Sequence, residues 1–265
     1  MNSNRPVDFD YAAADYEFIY GFLNELDIPS GRILFLHVRL KGLKNHENIV
    51  TTDYPALTSL LLDVFENLLS PTTILVPTFT YSFTDSGIFH RIFSQSEVGR
   101  FSEEVRLHFA KYRTPDPIFN IADTTDHLES TSIDYTTAFG KDSMFDYLHH
   151  DDCIIVNFDL PKLLMTQVHY IEHEFGVSYR YNKSFEGVVY SDYTEWYDIE
   201  YDYYVRDLDE DPMMDYKKRY KMLDSAGVLH HVQQDGIDAW WTTAQDKYDV
   251  LLEALSEDER VLLDE

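Results

Sequence analysis

The chain has 265 residues, 44% hydrophobic and 15% aromatic, enough for a buried core and too apolar for a disordered chain. Its 48 acidic residues outnumber the 21 basic ones, and the formal net charge of −27 repels duplex nucleic acid and anionic bilayers, so neither is expected as a partner. Cys153 is the one cysteine, which excludes an internal disulfide framework and a cysteine-rich zinc site. The start, Met1–Pro6, has no apolar stretch behind it long enough for a signal peptide, and no run of spanning length follows, so the chain reads as cytoplasmic. With no repeats or linker, residues 1–265 read as a single domain.

In chain order, Asp10–Leu26 carries Tyr16, Phe18, Ile19, Phe22 and Leu23 at helical spacing. Arg32–Val38 is a continuous apolar run of strand length. Thr52 is the expected N-cap of a helix with Pro55 in its first turn and apolar positions from Leu57 to Leu68. Thr73–Val76 is a second buried strand. Phe101–Tyr112 reads as a helix capped by Ser102, Cys153–Phe158 as a third buried strand, and Thr166–Phe175 as a helix. Glu195–Val205 alternates: Tyr197, Ile199, Tyr201, Tyr203 and Val205 oppose Asp198, Glu200 and Asp202, as in a half-buried strand. Met213–Ala226 is a helix closed by Gly227, Leu229–Trp241 a hairpin turning at Asp235-Gly236, and Thr243–Leu255 a final helix. Buried strands interleaved with helices predict a three-layer α/β/α fold with a mostly parallel or mixed sheet and a C-terminal antiparallel extension.

The densest chemistry is Met165–Glu174. His169 and Glu172 are i and i+3 on one helix face, where the carboxylate can fix the imidazole tautomer and leave the other nitrogen as a base. The alternative is a helix with two surface histidines among acids. The same residues spell His-x-x-Glu-His, in which His169 and His173 would hold zinc and Glu172 act as base. That pattern needs a third ligand from a later helix, and neither later helix offers a distinctive motif, so no metal is expected. His149-His150-Asp151-Asp152 has metal-ligand residue types but fits an exposed turn before the Cys153 strand. Glycine-rich phosphate loops and a G-x-S-x-G elbow are absent.

The order of short motifs resembles the antibiotic N-acetyltransferase family, best known from the aminoglycoside 3-N-acetyltransferases. The resemblance runs from about Asp15 to Leu255 in collinear pieces: Gly31–Leu43, Thr73–Thr80, Val98-Gly99 with Glu103, Glu104 and Arg106, Arg113–Pro117, Phe139–Ser143, Thr166–Glu172 and Tyr179-Arg180. It implies a three-layer α/β/α fold, acyl-coenzyme A as donor and an amine on a sugar as acceptor. It implies His169 as catalytic base and Glu172 as its orienting partner, with Thr78 and Thr80 as donors to the oxyanion or else ordinary strand-end caps. The donor's phosphates call for cations in an acidic protein: Arg39, Lys41 and Arg113, with Thr114, on the donor side together with the strand histidine His37. Phe79, Tyr81 and Tyr181 are placed to stack on substrate or to pack the core, and Asp116 lies with them.

Three departures from the family pattern stand out. Arg39 replaces the serine after the strand histidine, Asn45–Ile49 replaces a Gly-Gly, and Asp116 replaces a histidine. The Arg-Thr-x-Asp-Pro form resembles members that act on nucleotide-linked amino sugars for surface polysaccharide (lipopolysaccharide) synthesis, with acetyl or larger acyl groups. The alternatives are an aminoglycoside 3-N-acetyltransferase acting in antibiotic resistance, a zinc metallopeptidase, and a non-catalytic carbohydrate-binding protein. Oligomeric state stays open, a homodimer included.

Overall fold

The computed structural model describes residues 9–209 and 213–264. The Met1–Pro6 stretch and part of the acidic run Asp207–Asp211 lie outside the described residues.

The first half alternates helix and strand: α1 (Ala13–Asn24), β1 (Ile33–Val38), α2 (Leu40–Lys44), α3 (Tyr54–Leu69), β2 (Thr73–Pro77), α4 (Phe83–Ser86), β3 (Ile88–His90), α5 (Arg100–Glu104), β4 (Tyr112–Arg113) and β5 (Ile121–Asp123). The second half holds α6 (Met144–His150), β6 (Ile154–Phe158), α7 (Val168–Phe175), β7 (Arg180–Tyr190), β8 (Trp196–Arg206), α8 (Tyr216–Ser225), β9 (His230–Gln234), β10 (Ile237–Thr243) and α9 (Ala244–Glu257).

A seven-stranded mixed sheet has the order β4-β5-β2-β1-β6-β10-β9. Central β1 runs parallel to β2 and β6, with Phe35 opposite Leu75 on one side and Ile155 on the other. The outer strands are antiparallel, and β9 and β10 form the expected C-terminal extension. Strand alternation divides the apolar residues between two cores. Leu34, Leu36, Ile74, Val76, Ile154 and Val156 pack with α1 and α3 on one face. Ile33, Phe35, Leu75, Cys153 and Ile155 pack with α6, α7 and α9 on the other. Since β2 and β6 leave β1 on opposite sides, their carboxyl ends open a crevice, the usual ligand position of such sheets.

Local details move some expected boundaries. The N-cap of α3 is Asp53, one residue after Thr52, and its side chain accepts from Ala56 N at 3.2 Å. Helix α5 starts after Gly99, whose φ of 117° suits glycine, so Ser102 lies inside the helix; the next turn, Val105–Phe109, widens to a π-helix before the chain extends into β4. The His149-His150 pair occupies the last turn of α6.

A second, three-stranded sheet, β3-β7-β8, was not expected as a separate layer. β7 and β8 pair antiparallel over eleven positions each, from Arg180 opposite Arg206 to Tyr190 opposite Trp196. Ile199 and Tyr201 of β8 are buried while Asp198, Glu200 and Asp202 face solvent, the alternation seen in the sequence. No helix among the described residues is long and apolar enough to cross a membrane.

Candidate active site

Helix α7 follows β6 through a loop over 159–167, and Gly176 at φ 81° ends it. It carries His169 and Glu172 one turn apart. His169 Nδ1 lies 2.7 Å from Glu172 Oε2. The same oxygen is 2.8 Å from Arg180 Nε at the start of β7, and Tyr179 donates its hydroxyl to Glu172 Oε1 at 2.9 Å. Glu172 is fully buried. Burial alone would raise its pKa, but hydrogen bonding and charge from His169, Arg180 and Tyr179 bring it below the usual carboxylate value. An ionised carboxylate only accepts, so Nδ1 of His169 carries the proton and Nε2 the lone pair. Burial, with Arg180 charge second, holds His169 below its usual pKa, so the imidazole is neutral at pH 7.

The Phe139–Ser143 motif packs on this helix. The Phe139 ring meets His169 edge-on at 5.8 Å between centroids. Gly140, at φ 123°, lies so close to the His173 ring that a Cβ would sit 3.1 Å from Cε1. Ser143 caps α6 by accepting from Asp146 N.

Two cavities meet at His169, and Tyr203, Met214 and Tyr216 also line both. The inner cavity, about 230 Å³, sits at the carboxyl ends of β1, β2 and β6, where His37, Pro77 and Leu160 face it with Phe79 and Arg219. The outer groove, about 560 Å³, runs along the β7–β8 hairpin and, among the described residues, holds Lys162, Arg180, Lys183 and Arg206 against one acid, Asp85. Among the described residues, no Asp or Glu lines the inner cavity.

Of the expected substrate and donor residues, His37, Phe79 and Tyr81 face the inner cavity and Tyr181 the outer groove. His37 is buried, its pKa brought down to about 3 by burial and then by Lys247, and its Nε2 has no hydrogen-bond partner. Arg39 pairs with Asp159, donating from Nε to the carbonyl at 2.6 Å. Arg39 and Lys41 follow β1 and line neither cavity at His169.

Arg113 is buried and its guanidinium is filled from within. It donates to Asn120 Oδ1 at 2.7 Å, Ser94 O at 2.6 Å, Arg91 O at 3.0 Å and Thr78 O at 3.1 Å. The backbone amides of Thr78 and Thr80 donate to Asn120 O and Ile118 O, and the Thr114 hydroxyl accepts from Ile121 N. Asp116 accepts from Ile118 N, Phe119 N and the Tyr201 hydroxyl, and burial raises its pKa to about 7. Arg113, Thr114, Asp116, Thr78 and Thr80 thus brace the loops of β2 and β4 and anchor β8 beneath the site.

Among the described residues, no group of three or more His, Cys, Asp or Glu gathers in a metal-binding cluster, and His173 turns toward Gly140 and Tyr204. Cys153 is buried, its thiol pushed up to about 12 by burial. The motif reading passed over Arg219, Tyr203, Tyr216 and Lys162. Only Tyr179-Arg180, just after α7 at the start of β7, left a signal in the sequence, through the family resemblance.

The architecture is that of the aminoglycoside 3-N-acetyltransferases. The aminoglycoside acetyltransferase AAC(3)-Xa superposes with a TM-score of 0.72 at 16% identity, over 91% of this chain and 92% of that one. AAC-IIIb, solved as a binary complex with CoASH, gives 0.70 at 12% identity over 94% and 97%. AAC-VIa bound to sisomicin gives 0.70 at 14% identity over 91% and 97%. No protein-family model matches the chain, and no curated protein matches it in sequence.

Proposed function

We propose that the protein is an acyl-CoA-dependent N-acyltransferase that modifies an amine on a sugar, with His169 as general base and Glu172 as its orienting partner. The observation that carries this reading is the neutral His169, held by a buried and ionised Glu172, at the junction of an inner cavity and a cation-bearing groove. An amine attacks a thioester only when neutral. His169 Nε2 takes the amine proton as the C–N bond forms, the C–S bond breaks, and the thiolate leaves without needing a strong acid. The complex of AAC-IIIb with CoASH supports acyl-CoA as the donor. Lys162, Lys183 and Arg206 in the groove suit the donor's phosphates.

The fold neighbours, one of them bound to sisomicin, support an aminoglycoside as the acceptor. A second reading, a nucleotide-linked amino sugar, is favoured by the scarcity of acids among the described residues of both cavities, because a polycationic antibiotic needs carboxylates around it. The test follows free thiol with acetyl-CoA and either kanamycin-type amines or UDP- and dTDP-amino sugars. Thiol release with one panel alone assigns the acceptor. Transfer unchanged in His169→Ala overturns the dyad, and no transfer to either panel overturns the acyltransferase reading.

A further inference from the structure

Three arginines of this site are buried or nearly so, and the protein supplies partners for two of them. Arg113 has a full set of internal acceptors, and Arg180 has Glu172. Arg219 of α8 is different. It is 2% exposed, and its Nε has no hydrogen-bond partner. Among the described residues its guanidinium forms no ion pair; its cationic face lies over the Tyr216 ring, 4.6 Å from the centroid. Glu172 and Asp215 act on it only from beyond ion-pair distance; a guanidinium has five donors and keeps its charge in proteins, so burying one with no anion in direct contact is costly unless a ligand completes it.

The cavity it lines has no acid among the described residues, and its walls mix apolar side chains such as Phe79, Phe119, Leu160 and Met165 with Ser102, Thr166 and three tyrosines. The same wall carries the buried His37 Nε2, a second polar atom without a hydrogen-bond partner. His169 faces the same space. At about 230 Å³ the cavity holds roughly the liquid volume of eight waters, room for a short fragment with a head group and too little for a nucleotide.

We propose that Arg219 is the anion receptor of the inner cavity, and that one substrate of the acyl transfer enters it with a carboxylate or phosphate that pairs with this guanidinium. The inference rests on the acyltransferase reading for the word substrate, but not for the anion site. The anion comes either from the acyl chain of the donor, as in a dicarboxylic acyl thioester, or from the sugar acceptor, as in a sugar phosphate or uronic acid. Among the described residues, a polycationic acceptor finds no carboxylate lining this cavity.

The first measurement is binding without turnover. Succinate and inorganic phosphate are titrated into the wild type and into Arg219→Met and Arg219→Lys, reading calorimetric heat and melting temperature. The expected result is that at least one probe binds the wild type and that its affinity falls about tenfold or more in Arg219→Met, the loss expected when a charged hydrogen bond is removed. Arg219→Lys keeps the charge without the fork and falls between them, and it carries the test if the methionine variant does not fold. Equal binding by all three proteins, or no binding of either probe by the wild type, overturns the proposal.

The second measurement separates the sources. Succinyl-CoA is compared with butyryl-CoA, and glucosamine 6-phosphate with glucosamine, by kcat/KM. The anionic member of one pair is expected to lose about tenfold more in Arg219→Met than its neutral counterpart, and the affected pair names the source. A site that binds succinate through Arg219 in a protein without acyl transfer keeps this proposal and removes the acyltransferase reading. Acyl transfer with Arg219-independent binding does the reverse.

Discussion

Glu172 has both carboxylate oxygens engaged, by His169 and Arg180 on one and Tyr179 on the other, while His169 presents its second nitrogen to the two cavities. This arrangement sets the pH dependence. His169 binds its proton less readily than a free histidine, because burial and Arg180 disfavour the imidazolium more than Glu172 favours it. The base is therefore lost only as pH falls through a value below the ordinary 6.5, so the step that His169 adds to the acid side of kcat/KM lies below that figure, beneath the one set by protonation of the acceptor amine. Glu172→Gln removes the one group that supports the imidazolium. The His169 step should move to still lower pH while the plateau falls, because the tautomer is no longer enforced. His169→Ala should lose about 10²- to 10⁴-fold in kcat, the usual range for a general base. A pH–rate profile of the wild type and both variants checks all three expectations. Absence of a step below 6.5, or a step there unmoved by Glu172→Gln, would mean that another group titrates.

At the scale of elements, the site depends on the β7–β8 hairpin being pressed against the short β3 segment. Gly187 of β7 makes that approach possible: an added Cβ would run into Gly87 O and stand 2.6 Å from the Phe83 ring. Gly187→Ala should cost about 1–3 kcal/mol as overpacking, read as a lower urea midpoint, and should disturb Arg180 and Tyr203 at the groove. A variant as stable and active as the wild type would show the seam to be pliant. The same hairpin marks the limit of what the sequence discloses. β1, β2 and β6 were legible because strands buried on both faces read as unbroken apolar runs, and α7 because its dyad and apolar positions share one period. β8 was legible from its alternating tyrosines and acids. β7, Arg-Tyr-Asn-Lys-Ser-Phe-Glu-Gly-Val-Val-Tyr, carries no such alternation and is defined by its partners on both sides. Arg113 could be read as a free cation because its acceptors come from Thr78, Arg91 and Ser94, up to 35 positions away, and Asn120 across a turn. Arg219 escaped for the same reason: it joins His37 and His169 only through the packing of α8.

Over the whole molecule, the charge of −27 is unevenly distributed. Acids crowd the solvent side of β8, at Asp198, Glu200 and Asp202, while the groove at His169 gathers Lys162, Arg180, Lys183 and Arg206. The overall field opposes the compact state and any anionic ligand, and the local cations must overcome it at the groove. Salt therefore acts in opposite directions on stability and on donor binding. Between about 20 mM and about 500 mM NaCl the screening length shrinks from roughly 20 Å to about 4 Å, which weakens repulsion among surface acids. The melting temperature should rise across that range. The KM for acyl-CoA should rise as well, because the short-range attraction of the groove cations for the donor's phosphates is screened together with the long-range repulsion. Thermal melts and acetyl-CoA titrations in the same salt series measure both. A KM that falls steadily with salt would mean that the global field outweighs the groove, and that Lys162, Lys183 and Arg206 do not hold the donor.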